Sequence, residues 1–204
     1  MKKVALYILL LSSLTFATFY FLPNKETAIT NYPSDGRDVI AFGDSLVYGE
    51  GSESGGGFVK ILMEDVHMPI INLGVNGNTT VDGLNRISVL SKYRPKVVIL
   101  LLGGNDYLLR KSQKEIFDNL GKIIEEIQKT GAVVLLVGLR GQLLGSRHDA
   151  YFEELVDKYN VAYVPNILGG IMTNPDLMSD TLHPNDKGYR IMADKIKPVL
   201  EGIL

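Results

Sequence analysis

The run Lys96-Val97-Val98-Ile99-Leu100-Leu101-Leu102, closed by Gly103-Gly104, constrains the fold more than any other segment. It has strand length and no apolar–polar alternation. A strand that is apolar on both faces must be covered on both, as in a parallel sheet lying between two layers of helices. Shorter runs of the same kind recur. Asp38-Val39-Ile40-Ala41-Phe42 ends at Gly43, and Ile70-Ile71-Asn72-Leu73 ends at Gly74. Ala132 to Val137 and Val161-Ala162-Tyr163-Val164 complete the set. Between them lie helical patterns at 58–66, 81–93, 112–129 and 150–159, and a closing one at 185–200. In 112–129 the apolar residues Ile116, Phe117, Leu120, Ile123, Ile124 and Ile127 form one stripe, and Gly131 suits the C-cap. This βα alternation predicts an α/β chain, a three-layer α/β/α sandwich with a five-stranded, mostly parallel sheet. Ligands of such sheets sit outside the carboxyl ends of the strands.

The opening segment does not belong to that pattern. Met1-Lys2-Lys3 is followed by Val4 to Leu22, where no residue is charged and Ser12, Ser13, Thr15 and Thr18 interrupt the apolar run. As a helix it would span about 28 Å, close to the roughly 30 Å of a bilayer's hydrocarbon. Residues 1–22 therefore read as one N-terminal hydrophobic helix, a signal anchor or signal peptide. The bulky end Phe19-Tyr20-Phe21-Leu22 favours the anchor, because a cleavable signal wants a small-x-small site. Lys2 and Lys3 should stay in the cytoplasm. The remainder is then extracytoplasmic, tethered to the membrane by that helix or exported to the periplasm or cell surface. Residues 23–37, with Pro23, Pro33, Asn24, Asn31, Ser34, Asp35 and Gly36, read as a linker. Residues 38–204 are left as one domain.

Composition excludes several chemistries. The 204 residues contain no Cys, which removes disulfides, zinc–thiolate sites, iron–sulfur clusters and a thiol nucleophile. A net charge of −2 argues against nucleic acid as a partner. No dimer seam stands out, so a monomer is expected.

Polar residues gather where the strands end. Gly43-Asp44-Ser45-Leu46 follows the first strand, Gly74-Val75-Asn76-Gly77-Asn78-Thr79-Thr80 the second, and Gly103-Gly104-Asn105-Asp106 the third. Asp180-Thr181-Leu182-His183-Pro184 precedes the last helix. Singly these are ordinary turn and cap residues. In fixed order on one sheet they match the needs of acyl transfer: a nucleophile, a base, an orienter for the base, and donors for an oxyanion. Ser45 is the candidate nucleophile and His183 the base. Asp180, three residues earlier, can reach the imidazole Nδ1 through a tight turn. Candidate oxyanion donors are the N–H groups of Ser45 and Gly77 and the side-chain amide of Asn105, the last worth about 3–4 kcal/mol in a transition state. Gly141-Gln142-Leu143-Leu144-Gly145 follows the fourth strand. It is either a mobile lid, with Leu143 and Leu144 touching an acyl chain, or an ordinary loop.

Other polar residues have simpler readings. Asp44 should support the turn and helix start, Asp106 the Asn105 loop, and Asn78 the nucleophile turn. His67 reads as a surface residue and His148 as a solvated loop residue. Asp180 and His183 could pair on a metal, but no further His or Cys joins them, so no metal is expected. Gly55-Gly56-Gly57 lacks the Lys-Ser/Thr of a phosphate loop.

These blocks carry a resemblance to the SGNH (GDSL) hydrolases, within them to the arylesterase and thioesterase I/lysophospholipase-like branch. It rests on Gly-Asp-Ser-Leu at 43–46 and on Asn72-x-Gly74-x-x-Gly77-x-Thr79-Thr80-x-x-Gly83-Leu84. It rests also on Leu102-Gly103-Gly104-Asn105-Asp106 and on Asp180-x-x-His183-Pro184-Asn185-x-x-Gly188-Tyr189. It extends from Val39 to about Leu200. The resemblance implies a flavodoxin-like sandwich, with Ser45, Gly77, Asn105 and His183 as the signature residues and Asp180 as third member of a triad. It implies hydrolysis of a small acyl ester or thioester with no cofactor. The branch usually reads Gly-Gly-Asn-Asp-x-Leu-Arg, whereas Tyr107-Leu108-Leu109-Arg110 here holds one residue more. That loop borders the acyl pocket in the family, so Tyr107, Leu108 and Leu109 are expected at the substrate, while acyl-length preference does not carry over. Two rival readings are an acetyl esterase or acyltransferase acting on envelope glycans, and a non-catalytic binding module, which would lack one of the residues named.

Overall fold

The computed structural model describes residues 28–139 and 147–204, with side chains from Ala150 onward in the second stretch. The expected N-terminal helix, Leu143, Leu144 and the His148 ring lie outside the described residues. Among the described residues no helix is long and apolar enough to cross a membrane.

The five expected strands are present: β1 Asp38–Gly43, β2 Ile70–Gly74, β3 Pro95–Leu101, β4 Val133–Val137 and β5 Ala162–Val164. They form one parallel sheet in the order β2-β1-β3-β4-β5. The most apolar run is thus the central strand, with Val97 to Leu101 fully buried. The helices are α1 Ser45–Tyr48, α2 Gly57–Asp65, α3 Thr80–Arg86, α4 Gly104–Leu108, α5 Gln113–Lys129, α6 Arg147–Tyr159 and α7 Asp186–Glu201. Helix α2 packs with α7, while α5 packs with both α3 and α6. The chain leaves β1 for β2 on one side and returns to β3 on the other. The crevice therefore opens at the carboxyl ends of β1 and β3, where the strand order reverses.

Two differences from the sequence reading bear on the site. The single helix expected over 81–93 is split into α3 and a 3-10 helix, Ile87–Lys92. Arg86 leaves helical geometry there, at φ −106° and ψ 6°. Second, the described part of the expected linker lies against the domain. The Thr30 N–H donates to the Asn160 carbonyl at 2.8 Å, and the Asn31 amide donates to the carbonyls of Gln128 and Ala132 at 2.8 and 3.0 Å. Polar residues can bind a fold's loose carbonyls as readily as they can form a spacer, and composition does not separate the two.

Candidate active site

Strand β1 ends at Gly43, and Asp44 turns the chain. The Leu46 N–H donates to Asp44 Oδ1 at 3.0 Å, so this carboxyl caps the one-turn helix α1 that Ser45 opens. The expected supporting role of Asp44 is the one seen. Asp44 is 2% exposed, and burial raises its pKa from 3.8 to about 7 against the pull of its backbone hydrogen bonds and of His183. Between about pH 4 and 7 the folded protein keeps a proton here that the unfolded chain releases, so this group's contribution to stability falls as pH rises through that window. Asn would keep the capping oxygen and carry no charge. Asp44→Asn should therefore raise stability by on the order of 4 kcal/mol above about pH 7 and by little near pH 4. Thermal melts of both proteins across this range check it; parallel melting curves would count against it.

The Ser45 hydroxyl lies 3.1 Å from His183 Nε2. His183 Nδ1 lies 2.8 Å from Asp180 Oδ2. The other Asp180 oxygen, Oδ1, accepts the backbone N–H groups of Leu182 and His183, both at 2.7 Å. One carboxylate thus shapes the turn and orients the ring, which is why a spacing of three residues suffices. The hydrogen bond with His183, then the backbone donors, hold Asp180 down at about 2. The turn closes with the Ser179 N–H donating to the His183 carbonyl at 2.9 Å. Asn185 then caps α7, accepting the N–H groups of Lys187 and Gly188. A side chain at Gly188 would meet the Leu177 carbonyl oxygen at 2.3 Å, so helix and turn can approach this closely only over glycine.

Asn105 stands on α4, directly after β3. Its Nδ2 donates to the Asn78 carbonyl at 3.0 Å, which fixes the amide and leaves its second hydrogen available. Behind it, buried Asp106 accepts the Thr80 N–H at 2.8 Å and the Thr80 hydroxyl at 2.6 Å, locking α4 to the start of α3. The anchoring expected of Asp106 is there. Asn78 differs from expectation. Its carbonyl holds the oxyanion candidate, and its side chain meets the nucleophile strand only through Arg86, accepting from Arg86 Nε at 2.6 Å. Gly77, next to Asn78 in the chain, is exposed, at φ +77°. A Cβ there would meet nothing within 4 Å, so this position calls for glycine because of its left-handed backbone and not for lack of room.

A cleft beside Ser45, Asn105 and His183 is walled by Leu46, Leu108, Leu139, Leu168, Met172 and Leu182. Of the three pocket residues taken from the resemblance, Leu108 lines it. Tyr107 and Leu109 do not, and Leu109 is 63% exposed. Leu139, Leu168 and Met172 escaped the sequence reading, although they follow β4 and β5, where the strand-end rule points. Tyr189 was also missed as a support. Its hydroxyl donates to the Glu50 carbonyl at 2.6 Å, tying the segment after α1 to α7. Asp186 does the same by accepting the Ser52 hydroxyl at 2.6 Å. His67 is exposed, as expected. Among the described residues no three His, Cys, Asp or Glu side chains are grouped to hold a metal ion.

Comparison with known proteins identifies the family and the fold. Residues 41–191 match the GDSL-like Lipase/Acylhydrolase family. The chain is 27% identical to the esterase TesA of Pseudomonas aeruginosa, over 82% of this chain and 90% of that one. It is 30% identical to an arylesterase of Vibrio mimicus, over 61% and 66%. It is 23% identical to the thioesterase 1/protease 1/lysophospholipase L1 of Escherichia coli K12, over 81% and 84%. Among solved structures, that of TesA superposes with a TM-score of 0.76 at 25% identity, covering 82% of this chain and all of that one. AlinE4, a SGNH-hydrolase family esterase, superposes at 0.65 with 33% identity, covering 83% and 97%. Most of the chain lies inside the matched span, and the chain belongs to the GDSL-like lipase/acylhydrolase family, enzymes that hydrolyse ester bonds.

Proposed function

We propose that the chain is a serine esterase that cleaves carboxylic esters or thioesters through an acyl-enzyme on Ser45. The observation that carries this reading is the line Ser45 Oγ, His183 Nε2, His183 Nδ1, Asp180 Oδ2, with steps of 3.1 and 2.8 Å, at the mouth of an apolar cleft. Ser45 Oγ attacks the acyl carbon while its proton passes to His183 Nε2. The imidazolium keeps its Nδ1–H on the Asp180 carboxylate. The oxyanion takes hydrogen bonds from the Ser45 N–H, the Asn105 amide and the Gly77 N–H. As the C–O or C–S bond breaks, Nε2–H protonates the leaving alcohol or thiol. A water then gives its proton to Nε2 and attacks the acyl carbon, and Ser45 recovers that proton as the acid departs.

The leucines and Met172 of the cleft suit an aliphatic or aromatic acyl group. The relatives named esterase, arylesterase and thioesterase support ester and thioester substrates. Nothing in these relatives favours acyl transfer to envelope glycans. The apolar run from Val4 to Leu22 supports an exported or membrane-tethered enzyme; recovery of the intact chain from a soluble cytosolic fraction would contradict that part. The catalytic part is tested with p-nitrophenyl esters from acetyl to dodecanoyl and the matching acyl thioesters, with and without a sugar acceptor. The expected result is release of free acid in both conditions. Acylation of the sugar as the main product, or no turnover of any substrate, would overturn it.

A further inference from the structure

The three proposed oxyanion donors stand on three separate loops, after β1, β2 and β3, and a hole built from them needs a brace. Arg86, the last residue of α3, reaches the first two of these loops directly and the third through Asn78. Its Nη2 donates to the Gly43 carbonyl at 2.7 Å, at the end of the strand that delivers Ser45. Its Nε donates to Asn78 Oδ1 at 2.6 Å, beside Gly77. The backbone carbonyl of that same Asn78 accepts the Asn105 amide at 3.0 Å. The guanidinium carbon also lies 4.0 Å from the centroid of the buried Phe42 ring, a cation–π contact. The break between α3 and the following 3-10 helix falls at this residue.

We infer that Arg86 is a positioning residue that fixes the distance between the Ser45, Gly77 and Asn105 donors; this rests on the proposed acyl-transfer reading. A flat fork with two donors at a fixed angle, held over a ring, does what a single ammonium cannot. Arg86 does not line the cleft, so its loss should disturb the transition state and not ground-state binding. An ångström-scale misplacement of such donors costs about 100-fold in rate.

The test compares Arg86→Met, Arg86→Lys, Asn78→Ala and the double variant Asn78→Ala/Arg86→Met with the full wild-type chain. The substrate is a short p-nitrophenyl ester, and a boronic acid serves as tetrahedral mimic. Arg86→Met should lower kcat by roughly 10–100-fold with KM within about twofold. Boronate affinity should weaken in parallel. Added methylguanidinium should restore part of kcat, and Arg86→Lys should recover little. Asn78→Ala, which keeps the backbone carbonyl, should show a smaller loss, and the double variant should be no worse than Arg86→Met. Lower melting temperature with kcat and boronate affinity unchanged would overturn the inference, as would a KM effect alone. If Arg86→Met does not fold, an Asn78→Ala variant with wild-type kcat overturns it. Failure of the underlying reading is distinguishable, because the wild-type chain itself would then turn over no ester.

Discussion

Ser45→Ala should lower ester hydrolysis by roughly 10⁵–10⁶-fold, the scale on which a serine hydrolase depends on its nucleophile, while the protein keeps its fold. The two halves of that statement have separate causes. Catalysis is expected to be lost because, among the described residues, the Ser45 hydroxyl is the one that sits 3.1 Å from the His183 nitrogen proposed to take the proton. The fold is kept because the start of α1 is capped by Asp44, not Ser45, and alanine is a good helix former. Removing one side-chain hydrogen bond at this half-buried position should cost about 1 kcal/mol or less. Residual rate above the background would come from the oxyanion donors. Initial rates on a p-nitrophenyl ester, with circular dichroism melts, check both halves. Turnover within tenfold of wild type would remove Ser45 from the mechanism.

The second large effect is expected from Asp180→Asn, about 10⁴-fold in kcat by analogy with the same change in other triads. The amide keeps an oxygen that can accept the N–H groups of Leu182 and His183, so the turn can hold its shape. What changes is the ring. An amide N–H facing Nδ1 favours the tautomer with its proton on Nε2, pointing at Ser45, and a base that already carries the proton cannot accept one. A variant that folds normally and loses nearly all kcat separates this tautomer effect from a structural one. The pH dependence adds a check. Asp180 is held at about 2, so its stabilising contribution is complete above its unfolded value near 3.8 and is lost only as pH falls toward 2. Any acid limb of kcat/KM above about pH 4 therefore does not belong to Asp180. Asp44, raised to about 7, is a carboxyl that can contribute to such a limb.

The parts of this arrangement legible in the sequence are those that local rules govern. Val97 to Leu101 has no polar face, so its place at the centre of the sheet follows from burial alone. Ser45, Asn105 and the Asp180–His183 pair flank strands or a helix that can be read from periodicity, and the strand-end rule brings them together. Arg86 was not legible. A basic residue within a helical pattern, as Arg86 is in 81–93, is usually a solvated cation, and only the crossing from β2 to β3 carries it back to the Gly43 carbonyl. The cleft wall was partly missed for a similar reason. Leu139, Leu168 and Met172 come from two loops far apart in sequence, while Leu109, adjacent to a lining residue, turns outward because α4 is a single turn. The split of 81–93 left no mark either, since the apolar pattern continues through it as a 3-10 helix.

The most direct measurement is covalent labelling of the full chain with an alkyl fluorophosphonate, followed by intact-mass and peptide mapping. An enzyme that works through a Ser45 acyl intermediate takes up one phosphonyl group, on the peptide containing Ser45, and loses ester turnover in proportion. Ser45→Ala takes up none. A label on another residue, or full turnover in fully labelled protein, would contradict the account.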